Sequence, residues 1–388
     1  MSAADVLVIG AGITGAVAAL ELAEMGARVE VVDRYGPAAM ASGWTLAGVR
    51  QSGRHPAELP LARAAVARWQ ELDHRLEAKT HYRQEGNLRL ARSDAEVETI
   101  KALVADQKAA GLDISFLADN SAVRAMVPAL SASVRAASWC PTDGHADPVA
   151  TVNAYLRLAE RKGVKISTGE VVQRLVVNGA KVSGAVTRNR EISAGAVLAA
   201  PGILVNRLLE PLGHAIPLQH PLVTVLRSAP CPPVVAPVLG VANANMAVRQ
   251  EAGGHLRVTS GAEIWTGKLD EKDGKPVART SMGKIQETIS RVSHVLPVFA
   301  DAEIESVWGG VLDLTPDALP VIDAVPGVDN LVVAAGFSGH GFGIGPISGL
   351  LAAQLLLNRP PELDISAFGF GRFSNLSPKD HAALTLHG

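Results

Sequence analysis

The stretch from Val6 to Asp33 constrains the fold of this chain more than any other part of its sequence. It begins with a short apolar run typical of a buried parallel strand. Three glycines with the spacing G-x-G-x-x-G follow, at Gly10, Gly12 and Gly15. An apolar helical segment comes next, and a second apolar run ends on Asp33. The order of strand, glycine turn, helix and strand predicts a Rossmann-type βαβ unit.

Each glycine of this stretch has a physical reason. The first allows the tight turn, the second lets a pyrophosphate approach the backbone, and the third lets the helix pack on its strand. The pyrophosphate would meet free N–H groups at the helix N-terminus, and the terminal acid would accept hydrogen bonds from ribose hydroxyls. The alternative is a glycine turn in some other α/β protein. We predict a dinucleotide site that includes Gly10, Gly12, Ile13, Thr14, Gly15, Asp33 and Arg34.

Charge and cysteine content narrow the class of protein. A formal net charge of −2 among 388 residues provides no basic field, so no nucleic-acid or anionic-membrane partner is expected. Cys140 and Cys231 are the only cysteines, too few for a disulfide framework or a four-cysteine metal site, and no metal site is expected. The chain starts directly at the first strand without a signal-peptide pattern or transmembrane segment, which favours a cytoplasmic enzyme.

A second strand, glycine loop and helix occur about three hundred residues later. The apolar run 331–335 precedes GFSGHGFGIGPISG, and Pro346 suits the first turn of the helix that follows. Two such loops in one sheet can hold two parts of one long cofactor. His340 within the loop is a candidate proton carrier or cofactor contact, or a buried histidine whose hydrogen bonds are satisfied by backbone.

Between the two glycine sites the pattern predicts a second domain that interrupts the first. Leu61–Leu76 has helical apolar spacing, and His81–Leu90 has the pattern of a strand. The stretch from Ile216 to Trp265 is rich in proline and alternates like antiparallel strands. We assign 1–80, 140–215 and 310–388 to the cofactor domain, and 81–139 and 216–309 to a substrate-binding domain.

Several motifs together resemble one known family. They are the amino-terminal fingerprint, ASGWTLAGVRQSGRHPAELPLA, TDGHADP, AAPG, WGGVLDLTPDALPVI and GFSGHGFGIGP. In this order they resemble the D-amino-acid oxidase (DAO) family of FAD-dependent oxidoreductases, in the branch of sarcosine oxidase β subunits, glycine oxidase, and opine oxidase and D-hydroxyproline dehydrogenase subunits. The resemblance implies an α/β fold, α+β overall, with a Rossmann-like FAD domain and an interrupting substrate domain on a mixed, largely antiparallel sheet.

The resemblance also implies which residues contact the cofactor. The first glycine loop and Asp33 would hold the ADP half of FAD, and Val172 would meet the adenine with its backbone. The remaining positions would line the pyrophosphate, the ribityl chain or the flavin ring; they are Ser42, Gly43, Gly48, Gly202, Gly310, Gly339, His340, Gly341, Phe342 and Gly343.

Three departures from the family pattern concern the flavin link and the substrate. Gly310 stands where monomeric sarcosine oxidase has the cysteine that bonds its flavin, so we expect non-covalent FAD. Gly343 and Gly53 stand where that enzyme has the lysine and arginine that bind the substrate carboxylate. Another cation must then bind a carboxylate. The candidates are Arg50, Arg54 and Arg249.

The expected reaction is oxidation of an amine or amino acid: a secondary amine, an opine-like compound or a D-amino acid. Hydride would pass from the carbon next to nitrogen to flavin N5, and the resulting imine would hydrolyse. Arg50 and His340 are the candidate catalytic residues. The electrons would leave to oxygen, a quinone or a partner subunit. The alternative is a flavin-bearing subunit of a hetero-oligomeric dehydrogenase that is inactive without its partner; a tRNA-modifying flavoprotein is disfavoured by the absent basic balance.

Overall fold

The computed structural model describes residues 4–374. Two large sheets dominate this part of the chain. The strands are β1 Ala4–Ile9, β2 Val29–Asp33, β3 Gly48–Val49, β4 Asn87–Ala91, β5 Ser115–Leu117, β6 Ala136–Cys140, β7 Gly144–His145, β8 Lys165–Thr168, β9 Val172–Asn178, β10 Lys181–Thr187, β11 Glu191–Ala199, β12 Pro221–Pro230, β13 Val238–Val241, β14 Met246–Gln250, β15 His255–Ser260, β16 Glu263–Ile264, β17 Asp270–Lys272, β18 Lys275–Val277, β19 Ile304–Val311, β20 Val321–Ala324 and β21 Leu331–Ala335.

The helices lie mostly against the faces of these sheets. Their bounds are α1 Ile13–Glu24, α2 Ala41–Trp44, α3 Leu59–Gln70, α4 Leu72–Leu76, α5 Asp94–Ala109, α6 Asn120–Met126, α7 Pro148–Arg161, α8 Asn206–Leu209, α9 Met282–Val295 and α10 Gly341–Leu356. Several begin at side-chain caps that the sequence already contains: Ser93, Asp119, Asp147 and Ser281 each accept a hydrogen bond from a backbone N–H of the first turn.

The first sheet has the strand order β20-β21-β11-β1-β2-β8. Its central strands pair in parallel, and β20 joins the edge antiparallel to β21. The hairpin β9–β10 extends β11. Because the central strands are covered on both faces, their residues are continuously apolar and buried. The carboxyl ends of β1 and β21 each lead into a glycine loop and a helix.

The second sheet is mostly antiparallel, with the order β16-β12-β15-β14-β13-β4-β6-β5 and β19 paired to β12. Only β13 and β4 pair in parallel among its named strand pairs. The mixed sheet and the parallel sheet agree with the predicted fold class. The strands of the parallel sheet fall in the segments assigned to the cofactor domain, while β19 carries the second sheet to Val311, two residues past the end of the assigned substrate-binding segment at 309.

Helices α1 and α10 pack closely at glycines. A side chain at Gly345 would collide with Ile13, and one at Gly349 would collide with Val17. Close approach of the two helix axes brings both N-termini to the same edge of the parallel sheet. The edge that receives both helices is the switch point where ligands bind in open α/β sheets.

Three local predictions differ from the structure. The strand expected over His81–Leu90 is confined to β4, because positive φ angles at His81 (+55°) and Gly86 (+83°) turn the chain. The helix expected over 61–76 is divided into α3 and α4 at Glu71. Pro346 lies inside α10 instead of in its first turn, because that helix already begins at Gly341.

Within residues 4–374, no helix has the length and apolar character needed to cross a bilayer. The same residues contain no group of three or more histidine, cysteine, aspartate or glutamate side chains arranged to hold a metal ion.

Candidate cofactor and substrate site

A first cavity lies at the carboxyl edge of the parallel sheet, between the two glycine loops. It reaches from the end of β2 and the start of β9 to the end of β19 and the start of α10. Glycines line it where each glycine loop turns sharply after its strand, and larger side chains such as Tyr35, Met40 and Phe342 line other parts. Gly10 has φ +112°, and a side chain there would collide with the carbonyl of Ala200.

The N-terminus of α1 offers unpaired donors to the first cavity. The N–H of Ile13 donates to Ser42 Oγ at 3.0 Å. The N–H groups of Gly12, Thr14 and Gly15 have no hydrogen-bond acceptor anywhere in the described part of the chain. Such donors, together with the positive end of the helix dipole, suit a pyrophosphate. Gly12 and Thr14 line the cavity, so the residues fit the cofactor that the motif predicts.

Asp33 closes the adenosine end of the first cavity, but part of its bonding capacity is used within the protein. Its Oδ2 accepts from Ala11 N at 2.7 Å, and its Oδ1 accepts from Tyr35 N and Gly36 N at 2.7 Å each. A carboxylate has about four acceptor positions. One position is therefore left for a ribose hydroxyl, while the other three fix the glycine loop.

The N-terminus of α10 meets the first cavity from the opposite side. Gly341 and Phe342 line it, and their N–H groups have no acceptor within residues 4–374. Gly339 precedes them with φ +84°, which a residue with a side chain adopts at a cost. A second positive helix end favours negative charge on a ligand at this point.

The predicted cofactor residues divide between the cavities. Those that line the first cavity are Gly10, Gly12, Ile13, Thr14, Asp33, Arg34, Ser42, Val172, Gly202, Gly339, Gly341 and Phe342. Gly48 and Gly310 line a second cavity instead. Four other predicted residues line neither cavity: Gly15, Gly43, His340 and Gly343. The three glycines are packed closely against neighbouring atoms, and His340 is paired with the buried Glu58.

Gly343 shows why one departure from the family pattern exists. A side chain at this position would stand 2.8 Å from the carbonyl of Gly48. The Gly343 carbonyl accepts a hydrogen bond from Trp69 Nε1 at 2.8 Å. The start of α10 is thus pressed onto β3, and no room exists for the lysine found in monomeric sarcosine oxidase.

The second cavity adjoins the first between the two sheets. Residues that line both are Ala41, Thr45, Val311, Leu312, Gly339 and Phe342. The residues that line the second cavity are mainly of two kinds. Apolar side chains come from β12, β13 and β14, and the cationic residues are Arg50, Arg54 and Arg89, of which Arg89 lies in β4, the strand paired with β13.

These three arginines are buried, with 8%, 6% and 9% of their surface exposed, respectively. Burial and the neighbouring Arg54 and Arg89 hold the pKa of Arg50 well below its usual value. Burial and Arg54 likewise lower the pKa of Arg89 to about 10. Mutual repulsion of this kind marks a place where an anion is stabilised when it binds.

Two carboxylates partly compensate the arginines. Asp143 accepts hydrogen bonds from Gln51 N at 2.8 Å and from the backbone and hydroxyl of Ser52. Glu58 lies 3.9 Å from Arg54 Nη1 and accepts from His340 Nδ1 at 3.1 Å.

The pair of Glu58 and His340 is fully enclosed. Burial raises the pKa of Glu58, but His340, Arg54 and Arg50 outweigh it and bring that pKa to about 2. Burial, followed by Arg54, lowers the pKa of His340. A neutral imidazole that donates to an ionised Glu58 accounts for this arrangement. Of the alternatives for His340, a buried histidine with a hydrogen-bonded partner is the one observed, although the partner is a carboxylate.

The segment between the two cavities is held from the second sheet. Three successive carbonyls accept hydrogen bonds from its side chains: Trp308 Nε1 donates to Trp44 at 3.1 Å, Arg257 Nη1 to Thr45 at 2.8 Å, and Arg249 Nε to Leu46. Arg249 also donates to His145 Nδ1. Arg249 therefore orients the backbone and does not line the second cavity.

Arg89 is the residue of this site that the sequence analysis missed. It lies in β4, where Asn87 and Arg89 alternate with Leu88 and Leu90. Such alternation normally marks a solvent-facing side of a strand, yet all five residues of β4 are buried. The burial of the polar side of β4 is what indicates a functional role for Arg89, and this burial is known only once the fold is known.

Comparisons with known proteins agree with this geometry. The sequence model of the DAO family, FAD dependent oxidoreductase, matches residues 5–355. Sarcosine oxidase subunit beta of Arthrobacter sp. is 26% identical over 400 residues, covering 99% of this chain and 95% of that protein. The crystal structure of L-proline dehydrogenase from P. horikoshii superposes with a TM-score of 0.88 at 25% identity, covering 96% and 98% of the two chains.

Glycine oxidase from Geobacillus kaustophilus gives the same TM-score of 0.88 at 22% identity, over 96% of this chain and 99% of that one. These comparisons confirm both the fold class predicted from the motifs and the resemblance to the DAO family. The chain belongs to the DAO family of FAD-dependent oxidoreductases.

Proposed function

We propose that this oxidoreductase acts on an amine or amino acid whose reacting carbon is held at the junction of the two cavities. Bound FAD would supply the flavin N5 that accepts hydride from the carbon next to nitrogen, after which the imine hydrolyses in water. The proposal is supported by relatives named for amine and amino-acid oxidation, among them sarcosine oxidase subunit beta and a D-amino acid dehydrogenase of Allorhizobium ampelinum.

One observation carries the proposal: a cavity that is lined by buried arginines and by apolar side chains opens directly beside the cavity that fits FAD. An amino acid has a carboxylate for the arginines and an apolar portion for the apolar side chains. Arg50 is proposed to contact that carboxylate, since it lines the second cavity. Its role is binding and orientation of the donor carbon.

The remaining residues act on position and solvent. The N–H groups at the starts of α1 and α10 would hold the negatively charged parts of FAD. His340 is proposed to act as a positioning residue, because it caps α10 and is fixed by Glu58 while lining neither cavity. The buried walls of the second cavity exclude water from the amine, which favours its neutral form.

We also propose that FAD is bound without a covalent bond to cysteine. Cys140 is buried in β6, where burial and Asp143 raise its pKa to about 12, and Cys231 follows β12. Neither cysteine lines either cavity. Acid precipitation of the yellow protein should release all flavin into the supernatant; a yellow pellet would contradict this.

An anaerobic absorbance titration tests the activity. The FAD-loaded protein is titrated with D-amino acids, N-methyl amino acids, hydroxyprolines and opines, each beside the matched 2-hydroxy acid. We expect one amine class to bleach the flavin band and its hydroxy acid to leave the band unchanged. Bleaching by the hydroxy acids alone would overturn the proposal, and air admitted afterwards would show whether oxygen accepts the electrons.

A second candidate function is a flavin-bearing subunit of a hetero-oligomer. It is favoured by the similarity over 99% of this chain to a protein named as a subunit of sarcosine oxidase. In that case the isolated chain would bind FAD and fail to bleach with any amine. Co-expression with a partner subunit should then restore bleaching.

A further inference from the structure

We propose that Arg89 binds the substrate carboxylate and that the substrate carries one carboxylate and an apolar substituent. This inference rests on the proposed amine oxidation and names its substrate class. It concerns a residue outside the motifs that carry the family resemblance.

The guanidinium of Arg89 is buried without a close partner among the residues that the structure describes. It has no hydrogen-bond acceptor there, and no carboxylate oxygen lies within 4.0 Å of it. The residue is 9% exposed and lines the second cavity, and Asp143 acts on it only from a greater distance. A buried cation without a close counter-charge is unfavourable unless a ligand supplies one. Arg54 Nη1, which belongs to the same cavity, also has no hydrogen-bond acceptor in the described residues, although Glu58 lies 3.9 Å from it.

The absence of a side chain at Gly53 leaves room for the guanidinium of Arg89. The glycine has φ +64°, and a Cβ built on it would stand 2.5 Å from Arg89 Nη2 and 3.2 Å from Arg50 Nη1. The side chain that the family pattern places at position 53 is an arginine. Here the space is filled by a guanidinium delivered from β4, so a cation is retained while its origin has changed.

The positive charges beside the second cavity outnumber the negative ones. Arg50, Arg54 and Arg89 are three cations, since arginine keeps its proton in proteins. Glu58 is ionised, because His340, Arg54 and Arg50 outweigh its burial and bring its pKa to about 2, whereas burial raises the pKa of Asp143. A substrate carboxylate would compensate the excess positive charge.

The rest of the lining offers no cation for a second charged group. Most of it is apolar and comes from β12, β13 and β14, namely Val223, Val225, Val238, Leu239, Val241 and Ala247, with Asn87 and Thr259 as polar side chains among them. A second carboxylate would be desolvated there without a counter-charge. An alkyl or aromatic substituent would instead bury apolar surface against these side chains.

A calorimetric titration tests the carboxylate site without turnover. Isovalerate and isovaleramide have the same shape and differ in charge, and each is titrated into the FAD-loaded protein. We expect isovalerate to bind at least 10-fold more tightly. Arg89→Gln should weaken isovalerate binding roughly 30-fold and change isovaleramide binding less than about threefold. Arg157→Gln, an exposed position on α7, is the matched control and should change neither.

Equal affinity of the wild-type protein for isovalerate and isovaleramide would overturn the inference, as would undiminished isovalerate binding by an Arg89→Gln protein. The wild-type comparison needs no variant, so it stands even if Arg89→Gln does not fold. Arg89→Lys keeps the charge and should recover part of the lost affinity.

Kinetics separate this inference from the proposed function. N-methylleucine should have a kcat/KM at least 10-fold above that of N-methylglutamate, with both enantiomers tested. If amino acids and their amides bleach the flavin equally well, the proposed amine oxidation stands and the proposed carboxylate site is contradicted. If isovalerate binds through Arg89 but no amine bleaches the flavin, the site stands and the proposed function falls.

Discussion

The first cavity lies between two glycine loops that each follow a strand of the parallel sheet, whereas the second is lined largely by side chains of the second sheet and by three buried arginines. In the first, the proposed ligand contacts are N–H groups at the starts of α1 and α10. In the second, they are the arginines and the apolar side chains of β12, β13 and β14. The two cavities share the segment around Thr45 and the start of α10.

This contrast separates two ways of recognising a ligand. Backbone donors do not change with side-chain substitution, so a cavity built from them keeps its cofactor while the sequence diverges. Side chains change one at a time, so the second cavity can exchange its substrate contacts. The space beside Gly53, filled here by the guanidinium of Arg89, is a position where such a substitution can be tested.

The largest expected effect comes from the charges beneath the second cavity. Glu58→Gln removes the carboxylate beside Arg54 and His340, and loss of one member of a buried charge pair costs about 3 to 5 kcal/mol. The free energy of unfolding, measured with urea at pH 7, should fall by that amount. Glu362→Gln, in an exposed pair with Arg68, is the control and should cost less than about 1 kcal/mol.

The same variant has a pH signature. Glu58 has a pKa of about 2 in the folded protein and 4.5 as its ordinary value. Its stabilising contribution is therefore complete above pH 4.5 and declines as the pH falls toward 2. The difference between wild type and Glu58→Gln should be equal at pH 7 and pH 5 and smaller at pH 3. A difference that stays constant down to pH 3 would contradict an ionised Glu58.

A change to the first cavity should affect the cofactor alone. Gly10→Ala forces a side chain into the carbonyl of Ala200 at φ +112°, with a cost of about 3 kcal/mol. FAD affinity, measured by fluorescence quenching of the free flavin, should fall roughly 100-fold. Gly371→Ala, in open space without a positive φ, should leave it unchanged. Unaltered FAD binding in Gly10→Ala would show that the loop adapts.

A change beside the segment 44–46, which lies between the two cavities, should have the smallest effect on catalysis. Trp308→Phe keeps a ring beneath Arg257 but removes the hydrogen bond to the Trp44 carbonyl, which is worth about 1 kcal/mol. We expect KM to rise a few-fold while FAD affinity is unchanged. Trp139→Phe removes an indole N–H that has no acceptor in the described chain, and should not alter KM. Equal KM values for both variants would remove the proposed role of the junction.

The sequence predicted the contiguous elements of the fold well. The unit from β1 to β2 and the caps at Ser93 and Asp147 are local, since each depends on residues a few positions apart. The strand over His81–Leu90 was wrong because its apolar pattern does not reveal the positive φ at His81 and Gly86 that ends it.

The site was predictable to the extent that it is built from motifs. Arg50 lies in a motif that carries the family resemblance and lines the second cavity, and its contact with a substrate carboxylate stays a prediction. Arg249 was considered for the same role, but its guanidinium holds the Leu46 carbonyl. Residue type made both arginines equal candidates, and only their burial and partners distinguished them.

What the sequence determined by itself is the βαβ unit from β1 to β2, of the kind that binds dinucleotides, because strand, glycine turn and acid lie within one stretch and each has a steric reason. Only the tertiary structure showed that Arg89 lines the second cavity. Periodicity assigns Arg89 to one side of β4, but whether that side meets solvent or a cavity depends on β13 and β6 beside it and on the Gly53 turn above it. Those contacts join residues that are far apart in the chain, and no local pattern records them.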